Sequence, residues 1–290
     1  MKKRAILPEI ILTILSVMAV VPFILVVIAS FTGENELLLN GYTFFPSSWS
    51  LQAYKYIWNQ GTAILRAYGI TNIVTLLGTS IGLAFTMMVG YGLSRKDLPG
   101  RNGLAFYVFF TMLFNGGLVP TYLMYVRIFG IKNTLAALII PGLLMNGFNV
   151  MIMRSYFSNN VPESLIESAY MDGAGEFRIF LQVVLPLSKP IVATIALFIG
   201  ISYWNDWYNG LIYLTDSKLF SIQNVLNRLI SDAQFLASSN FGNANISNIT
   251  LPTTATRMAM AVITLIPIMA AYPFFQKYFV KGITIGAVKG

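Results

Sequence analysis

Six apolar runs, separated by polar segments of unequal length, dominate the chain. They lie at about 10–31, 66–93, 103–125, 134–157, 190–214 and 258–279. A helix needs about 20 apolar residues to cross a hydrocarbon layer of about 30 Å, so the pattern predicts six membrane-spanning helices. The first run follows Met1-Lys2-Lys3-Arg4, a start shared with secretory signals, and Val27-Ile28-Ala29 is a weak match to a cleavage site. The apolar core of a signal is only about 7–15 residues, so this longer run reads as the first span. The third run is interrupted at Asn115-Gly116-Gly117 and Pro120, and the sixth holds Pro267 and Pro273. Membrane helices tolerate such residues because neighbouring helices satisfy the freed backbone groups.

The polar segments are informative in their turn. Residues 32–65, with Pro46, Trp49 and Trp58, read as an external loop, and Ser94 to Arg101 as a short loop on the opposite side. Val161 to Pro190, spanning most of a loop at 158–189 and the first residue of the next run, predicts two short helices. Pro162 suits the first turn, where its missing N–H costs nothing. Leu165, Ile166, Ala169 and Tyr170 fall on one face, with Glu163, Ser164 and Glu167 on the other. Asp172-Gly173 stops this helix, because glycine takes the left-handed turn without a Cβ clash. The second helix runs from Glu176 to Leu185 and ends at Pro186. Asp216 to Arg257 is too long for a simple connection. Phe220, Val225, Leu229 and Ile230 make an apolar stripe between Asn224, Asn227, Arg228 and Ser231, which predicts a surface helix. The Ser-, Asn- and Gly-rich stretch Ser238 to Thr250 predicts a loop tip.

Composition agrees with this picture. The chain has 290 residues, 56% hydrophobic and 10% charged, against roughly 25% charged in a soluble domain. It reads as one all-α membrane domain over 1–290, without internal repeats. Cys and His are both absent, which excludes thiol chemistry, disulfides and His-based metal or acid–base sites. The net charge of +8 sits mostly where topology wants it. With the N-terminus inside, Lys2, Lys3, Arg4, Arg95, Lys96, Arg101, Arg154, Arg178, Lys189, Lys277, Lys281 and Lys289 are cytoplasmic. Lys55, Arg66, Arg127, Lys132, Lys218, Arg228 and Arg257 are external. That is 12 against 7 of the chain's 19 Lys and Arg, the asymmetry expected of cytoplasmic loops. Both termini and the 158–189 loop are then cytoplasmic.

Candidate chemistry is sparse. No G-x-x-x-x-G-K-[ST] occurs, so the chain has no P-loop to cradle phosphates, and if ATP drives it another subunit hydrolyses the ATP. The polar residues within spans are Asn115, Asn146, Asn149 and the segment Tyr203-Trp204-Asn205-Asp206-Trp207. Asn146 and Asn149, three apart, share a helix face. An intramembrane Asn ordinarily makes a helix–helix hydrogen bond of about 0.6 kcal/mol, and Trp204 and Trp207 suit an interfacial aromatic belt. Asp206 differs, because a charge in a span faces a cavity or a partner.

Glu167-Ser168-Ala169, then Asp172-Gly173-Ala174, Phe180 and Leu185-Pro186-Leu187 before Pro190, resembles the EAA loop of ABC importer permeases. The pattern is E-A-A, three residues, G, and a downstream L-P. Ser168, also small, replaces the middle Ala. In that family the loop is the coupling helix, seated in a groove of the ATPase subunit. The resemblance implies coupling roles for Glu163, Glu167, Ala169, Asp172, Gly173 and Ala174. Phe114 to Leu123, Trp204 to Trp207 and the tail Lys281 to Gly290 narrow the resemblance to polysaccharide-type carbohydrate permeases, LplC/YtcP-like and common in Gram-positive bacteria. Such a chain has the ABC type I importer permease fold. It pairs with a second, different permease, an ATPase dimer that holds ATP and Mg, and an extracellular solute-binding lipoprotein. It is not an enzyme and holds no cofactor or metal. Substrates are oligosaccharides from plant or other complex polysaccharides, including uronate-bearing ones. Asn115, Asn146, Asn149, Asn205 and Asp206 are the candidates for the substrate pathway, and the 216–257 loop for contact with the binding protein.

Two rivals fare worse. An ion-driven secondary transporter needs titratable groups near the midplane and discontinuous helices in matching halves. Here Asp206 is the only acid clearly within a span, and it is off-centre. A membrane-embedded enzyme would need a catalytic set, and the sequence offers no Cys, His or clustered carboxylates.

Overall fold

A computed structural model describes residues 6–238 and 254–287. The described residues are mostly helical, and the single extended pairing among them is a bridge between Thr32 and Trp49. In chain order the helices are α1 (Ile6–Ser30), α2 (Glu34–Asn40), α3 (Gln52–Asn59), α4 (Gly61–Ser94), α5 (Arg101–Leu113) and α6 (Leu118–Leu123). Then come α7 (Ala136–Ile139), α8 (Gly147–Asn160), α9 (Glu163–Met171), α10 (Glu176–Ile179), α11 (Leu185–Leu187) and α12 (Lys189–Trp204). α13 (Tyr208–Tyr213), α14 (Ile222–Ser238) and α15 (Thr254–Ala287) complete the order. Short π-helical turns continue α6 at Met124–Ile128 and join α10 to α11 at Phe180–Val184.

Three of these helices are long and apolar enough to cross a membrane, or up to five spans result if each of two bent pairs is one span. The first pair is Arg101–Leu113 with Leu118–Ile128, bent by 113°. The interruption expected at Asn115-Gly116-Gly117 is therefore a sharp reversal, with Gly117 at φ +85°. The second pair, Glu176–Leu187 with Lys189–Trp204, is bent by 88°.

Two further expected spans are not continuous helices. Within 134–157, α7 ends at Ile139 and α8 begins at Gly147. Pro141 and the left-handed Gly142 at φ +72° stop the helix between them. Within 190–214 the helix breaks at Asn205–Trp207, where Asp206 Oδ1 accepts the backbone N–H groups of Tyr208 (3.1 Å) and Asn209 (3.2 Å). A carboxylate that captures nearby N–H groups competes with the helical ladder. The surface helix expected after Asp216 is α14, but Asn224, read as polar surface, is fully buried. The expected tip lies outside the described residues from 239 onward.

Two compact units divide the chain. One comprises residues 1–66 and 225–268. Its α1 exposes apolar side chains from Leu7 to Val27, so lipid or another subunit must cover them. Two carboxylates tie the extramembrane segments of this unit. Glu36 accepts the backbone N–H groups of Ser47 and Ser48 and the Ser48 hydroxyl, each at 2.6 Å. Glu34 accepts the N–H groups of Thr254 (2.8 Å) and Ala255 (2.9 Å), satisfying two of the unpaired donors at the start of α15.

The other unit comprises residues 67–224 and 269–290. Its core centres on Leu138, Met153, Ile179, Val184 and Ile195, all essentially inaccessible. Small residues recur every four positions along α4, at Gly78, Gly82, Thr86 and Gly90, and all are buried. They let other backbones and rings approach closely. A Cβ on Gly78 would lie 2.4 Å from the Tyr203 ring, on Gly82 3.0 Å from the Leu144 carbonyl, and on Gly90 3.0 Å from Met153. The break after α7 is closed from the same side. Tyr203 Oη donates to the Ile139 carbonyl at 2.8 Å, and Asn209 Nδ2 to the Pro141 carbonyl at 3.0 Å.

Candidate functional site

The 161–190 loop begins at Pro162, which lies in the extended position just before α9. Ile166 is the anchor of α9 and is buried against the core, with Ala169 packed at its edge. The end of α9 is a paired cap. Gly173, at φ +75°, donates its N–H to the Tyr170 carbonyl, and Ala174 donates to the Ala169 carbonyl, both at 2.9 Å. This is the Schellman arrangement that the Asp172-Gly173 pair predicts.

The remaining α9 positions are outward. Glu163, Glu167 and Ser168 are exposed, and Ser168 Oγ donates to the Ser164 carbonyl at 2.7 Å. Leu165, Tyr170, Met171 and Phe177 are also exposed, Met171 at 88%. Exposed apolar side chains beside acids on a capped helix form a surface suited to a protein groove.

The second helix departs from expectation at its end. It does not stop at Pro186 but continues through α11 to Leu187. Proline lacks an N–H and its ring crowds the carbonyl four residues back. The wider π turn at Phe180–Val184 precedes Pro186 and relieves that crowding. Ser188 then ends the run, its N–H donating to Val184 and Leu185 carbonyls at 3.1 Å.

The turn after α4 reaches this loop. Lys96 Nζ donates to Glu163 Oε2 at 2.6 Å, with both side chains exposed. Such an exposed pair contributes about 0–1 kcal/mol. A tighter group forms around Glu176. Tyr91 Oη donates to its Oε2 at 2.5 Å, Tyr170 Oη donates to its Oε1, and Arg95 Nε lies 3.7 Å from Oε1. The Arg95 guanidinium also sits 5.6 Å above the Tyr170 ring, within cation–π reach. Partial burial pushes the Tyr170 hydroxyl up from its ordinary value, and its bond to the Glu176 carboxylate adds to that.

Of the five polar residues expected in the spans, four occupy breaks rather than helix faces, and Asn149 lies in the first turn of α8. Asn115 Oδ1 accepts the Gly117 N–H at 2.8 Å inside the sharp bend. Asn146 caps α8, accepting from Phe148 (2.9 Å) and Asn149 (3.3 Å). The shared helix face expected for Asn146 and Asn149 therefore does not exist, because Asn146 has extended backbone and precedes the helix. Asn149 is buried. Asn205 Oδ1 accepts from Gln223 Nε2 at 3.1 Å, and Asp206 holds the start of α13. Trp204 is buried within the chain, not presented to an interface, whereas Trp207 is 41% exposed.

Several polar residues that hold this region escaped the sequence reading. Asn209 closes the Pro141 carbonyl. Asn224 Nδ2 donates to the Trp207 carbonyl at 3.1 Å, and a Cβ on Gly210 would meet that amide at 2.7 Å. Asn133, with φ +56°, accepts the Thr215 and Asp216 N–H groups at 2.7 and 3.1 Å. The Pro141-Gly142 pair was the available signal. A helix broken there leaves carbonyls that need donors, and the polar residues of the next span are the ones able to supply them.

Comparisons place this architecture among known transport proteins. The chain is 39% identical over 271 residues to Protein LplC of Bacillus subtilis, covering 93% of this chain and 90% of the relative. It is 38% identical over 281 residues to the polygalacturonan/rhamnogalacturonan transport system permease protein YtcP of the same organism, with 96% of each chain covered. Among solved structures it resembles a bacterial ABC transporter involved in the import of the acidic polysaccharide alginate. The TM-score is 0.78 and the identity 28%, over 94% of this chain and 95% of that one. The profile of the binding-protein-dependent transport system inner membrane component matches residues 1–285. The chain belongs to that family, and it is a membrane-embedded permease subunit of an ABC importer.

Proposed function

We propose that this permease moves oligosaccharides derived from plant or other complex polysaccharides into a bacterial cell, and that α9 is the helix through which an ATPase subunit drives it. The observation that carries this reading is the form of α9. It is a capped helix, anchored by one buried residue, that turns Glu167, Leu165 and Met171 outward at the EAA register. The names of the relatives and of the alginate importer support the substrate class.

In this reading the whole chain is one six-span domain with both termini and α9 in the cytoplasm, as the Lys and Arg asymmetry requires. It pairs with a second, different permease and with an ATPase dimer that binds ATP and Mg. An external binding protein delivers sugar. Closure of the ATPase dimer draws the coupling helices together, the permeases open outward, and hydrolysis resets them. Glu163, Glu167, Ala169, Asp172, Gly173 and Ala174 form the coupling surface and its cap. Asn115, Asn146, Asn149, Asn205 and Asp206 are the pathway candidates. Because Asn115, Asn146 and Asp206 already satisfy backbone N–H groups, their role there is to shape the breaks that border the pathway.

Uptake of oligogalacturonides and other oligosaccharides by a strain dependent on this permease tests the reading. Gly173→Pro should insert normally but abolish uptake, because proline fixes φ near about −65° where the cap needs a positive value. Glu167→Lys should do the same by reversing charge on the docking face. Near-wild-type uptake in both variants would refute the coupling role. The chain has no cysteine, so a cysteine introduced at Ser164 reports topology directly. Labelling there by an impermeant maleimide in intact cells would refute the orientation.

A further inference from the structure

Apart from the exposed ring of Tyr170, the group around Glu176 has no part in docking as described above, yet it is where three elements meet. Tyr91 belongs to α4, Tyr170 to the last turn of α9, and Glu176 begins α10. One carboxylate accepts both hydroxyls, one on each oxygen. Arg95, just beyond the end of α4, faces the same carboxylate and covers the Tyr170 ring. Its side chain is only 15% exposed, and its Nε has no hydrogen-bond partner among the described residues. Closing the 3.7 Å gap to Glu176 would need a shift of about half an ångström to reach hydrogen-bond range.

What lies behind this group gives it mechanical meaning. α4 is an unbroken helix of 34 residues, about 50 Å long at 1.5 Å per residue. Within the same compact unit the Tyr91 ring is packed between Phe157 (6.3 Å) and Phe180 (5.1 Å). Further along, Gly90 abuts Met153 of α8 and Gly78 abuts Tyr203 of α12. The neighbouring spans are broken at 140–146 and 205–207, whereas α4 is not. A displacement applied to the cytoplasmic end of α4 therefore reaches the packing at both breaks without passing through a flexible joint.

We propose that Glu176 is a positioning residue which, with Tyr91, Tyr170 and Arg95, fastens the coupling helix to the end of α4, so that motion imposed on α9 is delivered to α4 as a rigid lever. This rests on the assignment of α9 as the ATPase-docking helix. The exposed Lys96–Glu163 pair is a weaker second strap at the opposite end of α9.

The test uses the full complex, coexpressed with its partner permease and ATPase in lipid nanodiscs. Spin labels on cysteines at Ser164 in α9 and Met88 in α4, both exposed, report the distance between the two helices. In the otherwise unchanged chain that distance should be the same without nucleotide and after trapping with ATP, Mg and vanadate. In Glu176→Ala and in Tyr91→Phe it should shift and broaden on trapping, while the ATPase still copurifies in full yield. In proteoliposomes of the same complex supplied with a sugar-binding protein, the ATPase activity of these variants should fall out of step with oligogalacturonide uptake, with at least about tenfold more ATP spent per sugar, the scale of losing one charge-assisted hydrogen bond. Tyr91→Phe removes a single hydroxyl and guards against misfolding of the alanine variant. An unchanged trapped distance and coupling ratio in both variants would overturn the proposal. Loss of ATPase copurification would also overturn it, because Glu176 would then belong to the docking surface. Failure of the docking assignment itself looks different. There, Glu167→Lys would retain both the ATPase and normal coupling.

Discussion

Gly78→Ala is the sharpest test of the packing that places α4 against the broken helices. An ideal Cβ at this position would sit 2.4 Å from Tyr203 Cζ and 2.6 Å from each Cε. Carbon atoms in contact prefer about 3.5–4.0 Å, so the ring or the helix must move by roughly 1 Å or more. The ring cannot swing freely, because Tyr203 is 2% exposed and its hydroxyl is bound to the Ile139 carbonyl at 2.8 Å. Overpacking of this kind costs about 1–3 kcal/mol. Displacing the ring also forfeits a hydrogen bond of about 0.5–1.5 kcal/mol net. The alanine returns about 1 kcal/mol of helix propensity, which leaves a net loss of about 0.5–3.5 kcal/mol. For a chain of this size each kcal/mol moves Tm by about 2–4 °C, so a drop near 5 °C is expected. The assay is the fraction of monodisperse complex surviving a heating series in detergent at one fixed scan rate, since many large proteins unfold irreversibly and their apparent Tm then depends on scan rate. Gly69→Ala and Gly92→Ala lie on the same helix with nothing within 4 Å of the added Cβ, and they should hold or raise Tm. If Gly78→Ala tracks these two, the inferred contact between α4 and Tyr203 is wrong.

Other expectations follow from single residues. Asn224→Ala removes the donor to the Trp207 carbonyl at a fully buried position. It should lower stability by about 1–3 kcal/mol, whereas Asn227→Ala, one turn on and only half-buried, should change Tm little. The Ser48 hydroxyl, then the Ser47 and Ser48 N–H groups, hold the Glu36 carboxyl below its ordinary 4.5. A folded value below the unfolded one gives stability that is complete above pH 4.5 and lost as pH falls through the lowered value. Hydrogen exchange at the Ser47 and Ser48 amides should accelerate below that point, and Glu36→Gln should show fast exchange already at neutral pH. If the Gln variant stayed protected at pH 7, the carboxylate would not be what holds this loop.

The linear sequence determined the class of this protein because the bilayer reads composition directly. Long runs without charges have few stable places other than a membrane, and the Lys and Arg imbalance follows from insertion, not from tertiary contacts. The α9 cap was equally legible, since Asp172-Gly173 specifies a left-handed turn from two adjacent residues. What the sequence could not decide was where helices stop inside apolar runs. Pro141-Gly142 and Asp206 lie in stretches whose hydropathy is that of an unbroken span, and hydropathy averages over the very residues that matter. Their breaks persist because Tyr203, Asn209 and Asn224, distant in sequence, supply donors to the exposed carbonyls. Pro186 shows the converse, a proline expected to end a helix that a π turn instead accommodates. The Glu176 group likewise exists only after folding, since Tyr91 lies 85 positions from it in the chain. Local rules fix turns and spans, and only the packed structure decides which backbone groups find partners and which side chains join one moving part to another.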